Sequence, residues 1–408
     1  MKKRFLSAGL AVVMAASLTA CGGSGSASTT TAAAGEAKAE GESKAAESSA
    51  AADGASFKIG GIGPVTGGAA VYGLAVQHGA EIAVKEINEA GGINGYPVEF
   101  QFQDDEHDAE KSVNAYNTLK DWGMQALMGT VTSAPCIAVA DKTAADNMFQ
   151  ITPSGSAVEC AANPNVYRVC YSDPAQGTAS AKYIGEHKLA SKVAVIYDSS
   201  DVYSSGIYEK FAQEAPNQGI EVVDAEAFTA DSNKDFSTQL QKAKESGAEL
   251  VFLPIYYTEA SLILQQANTM GFAPQFFGCD GMDGILQVQN FDVKLAEGLM
   301  LLTPFAADAT DDLTVKFVKS FEDAYGETPI QFAADAYDAM YIIKAAMEEA
   351  NVTPDMAAGD ICDAMEGAMT KIKVDGLTGT NMTWTEDGEP EKDPKAVQVV
   401  DGAYKAME

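Results

Sequence analysis

Two short stretches of hydroxyl and glycine residues lie one helix apart in this sequence. Residues 129–133 read Gly-Thr-Val-Thr-Ser, and Ser154-Gly155-Ser156 follows Ile151-Thr152-Pro153. Each comes after a short apolar strand, at 126–128 and 148–152. Pro135 suits the first turn of a helix, where a missing N–H costs nothing. Ser133 is then the expected cap of that helix. Free N–H groups at a helix start favour an anion. One such turn alone is an ordinary connection. Two at neighbouring strand ends point to a carboxylate-sized ligand held by Ser133, Ser154, Gly155 and Ser156. Opposite chemistry comes later, where Tyr203, Tyr256 and Asp280 lie just past three more apolar strands. Asp280 stands before Gly281, and Asp-Gly at a strand end is often only a turn. A tyrosine offers an apolar body with a polar tip, which suits a ligand rim and a packed rim alike.

Other chemistries find little support. The chain has three histidines, and none forms a Ser-His-acid arrangement with Ser133 or Ser156. No catalytic residue and no cofactor is expected. The run Asp104-Asp105-Glu106-His107-Asp108 fits no standard metal loop and reads as a solvated turn, so no metal is expected. The glycines at 60–68 lack the spacing of a dinucleotide fingerprint. A formal charge of −31 argues against nucleic acid and against binding anionic lipid by charge.

The first 20 residues form a targeting segment. Lys2, Lys3 and Arg4 precede an apolar run too short to span a bilayer, and it ends in Leu18-Thr19-Ala20-Cys21. That ending resembles a bacterial lipoprotein cleavage box. The resemblance implies a signal peptide over 1–20, cleavage before Cys21, and lipid on that cysteine as a membrane anchor. Residues 21–55 are rich in Gly, Ala, Ser and Thr and read as a disordered tether. Five cysteines remain, an odd number, so at least one is free or pairs between chains. Cys160 with Cys170 and Cys136 with Cys160 both remain open; Cys279 and Cys362 complete the set.

Behind these residues stands a repeated alternation. Strands are expected at 57–63, 97–103, 126–128 and 148–152, with helices at 74–90, 112–122 and after Ser133. A glycine-rich loop at 64–73 would carry Tyr72. The pattern restarts with strands at 193–197, 221–227, 250–254 and 275–277, and helices at 204–218, 237–246 and 258–270. This is an α/β chain with two doubly wound halves, and ligands of such sheets sit beyond the carboxyl ends of the strands. Residues 299–408 read as elements that return to those two sheets. Trp122 and Trp384 are expected in the core.

From Phe57 to Glu408 the chain resembles the periplasmic leucine/isoleucine/valine-binding proteins of ABC transporters. The resemblance rests on Tyr72-Gly73, Gly91-Gly92-Ile93-Asn94-Gly95, Asp104-Asp105, Ile151-Thr152-Pro153, Arg168 with Asp173 and Gln176-Gly177, Asp235-Phe236-Ser237, and Ala336-Tyr337-Asp338-Ala339. It implies the type I periplasmic binding protein fold: two Rossmann-like lobes joined by three crossover strands. Lobe 1 would comprise 56–172 and 304–380, and lobe 2 would comprise 173–303 and 381–408. The crossovers would fall near 170–174, 303–305 and 378–382. It further implies that Ser133 and Ser156 bind an amino-acid carboxylate, that Asp280 holds its ammonium beside Tyr203 and Tyr256 (or Tyr257), and that Tyr72 and Phe332 lie near its side chain. The implied protein is a monomeric, extracytoplasmic lipoprotein that delivers an aliphatic amino acid to an ABC permease. A small amide or urea as ligand, or service to a membrane sensor, are the alternatives. Two departures stand out. Glu106 and Thr132 occupy the positions of a family disulfide, and Asp280 replaces a usual glutamate.

Overall fold

The computed structural model describes residues 54–407. The signal segment, Cys21 and nearly all of the tether lie outside the described residues.

Within them, β1 (Phe57–Gly63), α1 (Ala70–Glu89), β2 (Val98–Asp104), α2 (Ala109–Trp122), β3 (Ala126–Gly129), α3 (Ser133–Asp146), β4 (Gln150–Thr152) and β5 (Val166–Arg168) form one unit. Its five strands are parallel and run in the order β2-β1-β3-β4-β5. Buried aliphatic side chains such as Ile59, Ile62, Leu127 and Ile151 line both faces, as a helix-covered parallel sheet requires. Helix α1 starts earlier than expected, so Tyr72 stands in its first turn rather than in a loop. The acidic run is not wholly a solvated turn, for Asp105 is fully buried, accepts from His107 N through Oδ1 and keeps Oδ2 without a partner. Asp104 accepts from Val65 N and Thr66 Oγ1, and Asp108 caps α2.

The second sheet grows from α4 (Asp173–Glu186), β6 (Lys192–Asp198), α5 (Val202–Glu214), β7 (Glu221–Phe228), α6 (Ser237–Glu245), β8 (Leu250–Leu253), α7 (Tyr257–Thr269), β9 (Gln275–Gly278) and β10 (Met300–Thr303). Helix α4 has no aliphatic stripe. It packs through small residues, and Gly177 sits so close to α5 that a Cβ there would lie 2.5 Å from the Ile207 carbonyl oxygen.

Then α8 (Asp312–Tyr325), α9 (Gln331–Glu349) and α10 (Ala358–Met369) turn back to the first sheet, where α9 crosses α1. Gly79 permits that crossing, since a Cβ would fall 2.1 Å from the Ala333 carbonyl oxygen. A hairpin of β11 (Thr383–Trp384) and β12 (Pro390–Glu391) follows. Trp384, buried as expected, donates to the Arg168 carbonyl at 2.9 Å. Finally β13 (Lys395–Val400) and β14 (Ala403–Ala406) add antiparallel to the second sheet, giving β14-β13-β10-β9-β8-β6-β7. Elements of the last hundred residues thus return to both sheets.

The chain passes between the sheets three times, at residues 169–172, 304–311 and 392–394. The third passage lies beyond 378–382, because the β11–β12 hairpin stays bonded to Arg168 of β5. Lys392 in that passage has a fully buried side chain. It donates to Thr378 Oγ1 at 3.0 Å, stands 3.8 Å from Asp335 of α9, and lies over the ring of Tyr171 in the first passage. Among the described residues no helix is long and apolar enough to cross a membrane.

Candidate ligand-binding site

Every candidate residue lies past the carboxyl end of a strand or on a helix that faces those ends. On the first sheet, β3 leads into α3 and β4 into the 154–156 loop. Thr132, not Ser133, occupies the N-cap position of α3, and it makes no side-chain capping bond. Ser133 turns its hydroxyl to the neighbouring loop instead. Its Oγ accepts from Ser156 N at 3.2 Å and Ala157 N at 3.1 Å, which leaves its own proton free for an anion. Ser154 Oγ donates to the Val131 carbonyl at 2.7 Å, and Thr152 Oγ1 accepts from Gly155 N at 2.7 Å. These bonds lock the loop and remove Ser154 from direct use. Ser156 Oγ is buried with no hydrogen-bond partner. The fully buried Arg168 braces the loop from behind, donating to the carbonyls of Gly155, Ser156, Ala157 and Val158.

On the second sheet, Tyr203 sits in the first turn of α5, Tyr256 at the N-cap of α7, and Asp280 just past β9. Asp280 Oδ1 accepts from the Tyr203 hydroxyl at 2.8 Å and from Gly281 N at 2.7 Å, while Oδ2 accepts from Gln176 Nε2 at 2.8 Å. Burial raises its pKa to about 6, and those three bonds oppose the rise. Tyr256 stacks on Tyr203 with ring centroids 4.9 Å apart.

Tyr72 joins the two sides. Its hydroxyl donates to the Gly281 carbonyl and accepts from Tyr257 N, and its ring stacks on Phe332 of α9 at 4.3 Å. Tyr256 also meets the Tyr72 ring edge-on at 5.7 Å. Tyr72, Phe332, Tyr203, Tyr256 and Asp280 are therefore brought into one cluster; Tyr257 also meets the Tyr72 ring edge-on, at 4.8 Å, and its hydroxyl accepts from Val71 N of α1.

Three residues of the crevice were not singled out as site residues from sequence. Asp173 begins α4, is almost wholly buried, and keeps Oδ1 without a partner. It lies beside Ser156, to whose carbonyl its N–H donates at 2.9 Å, and burial holds its carboxyl well above the ordinary range. Gln176, one turn on, anchors Asp280. His107 pairs its Nδ1 with Thr132 Oγ1 at 2.8 Å and sets its ring edge-on to Tyr256. That bond ties together the two loops that carry Glu106 and Thr132. The signal for Asp173 and Gln176 was the Asp-Pro helix start, with its free N–H groups just past β5.

A family profile described as a periplasmic binding protein matches residues 56–403. The chain is 32% identical to "Leu/Ile/Val-binding protein homolog 3" of Brucella melitensis, over 74% of this chain and 82% of that one. It is 30% identical to the "Leucine-, isoleucine-, valine-, threonine-, and alanine-binding protein" of Pseudomonas aeruginosa, over 72% and 79%. Among solved structures it resembles the branched-chain amino acid transporter substrate binding protein LivJ of Streptococcus pneumoniae in complex with isoleucine. That likeness has a TM-score of 0.77 and 26% identity, over 86% of this chain and 99% of the other.

Proposed function

We propose a function from one premise: the chain belongs to the periplasmic binding protein family. Its task is capture without chemistry. It binds an aliphatic amino acid, branched-chain ones foremost, between the two sheets and delivers it to the permease of an ABC transporter.

The observation that carries this reading is a pair of unlike half-sites across one crevice. The first offers neutral donors, the Ser133 and Ser156 hydroxyls and the α3 N-terminus, for a carboxylate. The second offers a buried anion, Asp280, braced by Tyr203 and Gln176, for an ammonium. Asp173 lies beside Ser156, and burial holds its carboxyl well above the ordinary range. Tyr72, Tyr256 and Phe332, packed ring against ring, offer the aromatic surface that an apolar side chain would meet. The names of the relatives support the same ligand class. Catalysis gains no support, since the Ser133 hydroxyl faces backbone N–H groups and His107 is engaged with Thr132.

The sheets with their helices act as two lobes, and the three passages serve as the hinge. Closure on leucine should shrink the radius of gyration in solution scattering; an unchanged profile at proven occupancy overturns the hinge. Cys21 carries lipid and holds a monomeric chain at the outer face of the cell membrane. Cys21→Ala should then leave the protein in the soluble fraction, and continued sedimentation with membranes overturns the anchor.

The ligand class is tested by thermal melting with a panel of amino acids, amides, urea, nucleosides and sugars. A ligand specific to the folded state adds about 2.7 kcal/mol at a hundred times its dissociation constant. Aliphatic amino acids should raise the midpoint, and their amides and N-acetyl forms should not. A clear shift with amides or urea favours the alternative ligand, and turnover of any panel member sinks the binding reading.

A further inference from the structure

All five cysteines among the described residues are buried, free thiols. Two of them are neighbours. Cys136 lies in the first turn of α3, and Cys160 in the short turn that follows the 154–156 loop. With Ala157 they form a small apolar cluster of their own. The remaining contacts of the pair go to the ligand cradle. Cys160 Sγ donates to the Ser133 carbonyl at 3.6 Å, and Gln150 Nε2 donates to Cys136 Sγ at 3.6 Å. Gly155 packs directly on Cys136, whose Sγ would lie 2.9 Å from a Cβ placed there. The other thiols have different company: Cys279 pairs with Ser180 Oγ at 3.4 Å, and Cys362 with Glu366 at 3.5 Å.

We propose that Cys136 and Cys160 are a dithiol that closes to a disulfide beneath the serine cradle, so that their oxidation clamps the loop bearing Ser154 and Ser156 to the start of α3. The family works outside the cytoplasm, where disulfides form and persist. The inference does not depend on which ligand the crevice takes.

The chemistry balances with a disulfide-bearing oxidant, a small-molecule disulfide or an oxidoreductase. Cys136 attacks first as the thiolate, breaking the oxidant's S–S bond and releasing one oxidant thiol. Cys160 then loses its proton and attacks the mixed disulfide at the Cys136 sulfur, releasing the second oxidant thiol. Two electrons and two protons pass from the protein to the oxidant. The order follows from the surroundings. The neighbouring Cys160 thiol and the nearby Arg168 guanidinium favour the Cys136 thiolate, and burial disfavours that of Cys160. Val202, at the start of α5, packs over the cluster from the other sheet. An oxidant therefore reaches the pair only when α5 draws away.

The test uses the full chain, incubated with oxidised glutathione or with dithiothreitol, then unfolded, alkylated, digested and mapped by mass spectrometry. The oxidised chain should lose about 2 Da through one cross-link, between the peptides of Cys136 and Cys160. Cys136→Ser and Cys160→Ser should each abolish it, and Cys362→Ser should not. Because the map is read on the wild-type chain, it stands even where a serine variant folds poorly. The melting midpoint should rise by about 5 °C on oxidation of the wild type, and not for either serine variant at 136 or 160. Cys136 and Cys160 both found alkylated after an oxidant treatment that cross-links the unfolded chain would overturn the proposal. So would a cross-link to Cys170, Cys279 or Cys362, or a Cys136–Cys160 bond with no change in midpoint.

Discussion

The two sides of the crevice hold their polar groups in opposite states. On the first sheet the hydroxyls are woven into the backbone: Ser133 accepts from the 156–157 amides, and Ser154 donates to Val131. None of these groups is charged, and bonded neutral groups bury at little cost. On the second sheet a carboxylate, Asp280, is kept inside with its pKa raised to about 6. A shift of that size, from an ordinary 3.8, disfavours the ionised folded state by on the order of 3 kcal/mol at neutral pH. One side therefore gains its binding geometry from groups that also stabilise the fold. The other holds a buried carboxylate whose three hydrogen bonds only partly offset the cost of its burial.

The sharpest way to break that contrast is at Asp280. Asp280→Ala should weaken leucine binding by roughly 3–5 kcal/mol, because the ammonium is left buried without an anion. Calorimetric titration measures it, and retained affinity would place the ammonium elsewhere, Asp173 first. Asp280→Asn should also lose affinity yet raise the melting temperature of the ligand-free protein at pH 7. Ser133→Ala should weaken binding less, by about 1.5–3 kcal/mol for one bond to a charged group. Unlike Asp280→Asn it should lower the ligand-free midpoint, since two buried N–H groups lose their acceptor. Opposite signs in the two melts are what the comparison requires.

Acidity probes the same difference. The folded protein binds the Asp280 proton more tightly than the unfolded chain does, so this group favours folding below about pH 4. That contribution is lost as pH rises through about 6. Leucine affinity should run the other way, flat above about pH 7 and falling about tenfold per unit below 6. Titrations across this range check both signs. The smallest effect belongs to Ser154→Ala, whose hydroxyl is already spent on Val131. About 1 kcal/mol of stability should go, with affinity changed by less than about 0.5 kcal/mol.

Legibility in the sequence followed the physical signal at each position. Most strands were visible as apolar runs, and the turns after them as clusters of small and hydroxyl residues, but β5, Val-Tyr-Arg, is too short and too polar to stand out. Ser133 was found by that pattern, but its partner was not, because hydroxyl direction depends on a loop 23 residues away. Helix α4 went unread because it packs by close approach through Gly177, Ser180 and Ala181, which leaves no aliphatic period. Asp173 and Gln176 were hidden with it as site residues. Phe332 was reachable only through the family resemblance, since its buried place in α9 looks like any core position. The short strand β14 carries two alanines, a tyrosine and a lysine, too little apolar alternation to announce itself.

Lys392 carries a last consequence. Its ammonium is buried at the joint, against Asp335 and beneath Tyr171, away from mobile counterions. Charges so enclosed are screened far less than exposed ones. The joint should then prefer the same geometry in dilute buffer and in concentrated brine. The exterior is different, for a chain of formal charge −31 meets any partner through an atmosphere of ions. Ionic strength should therefore govern encounter with a charged partner, and leave the packing around Lys392 almost untouched.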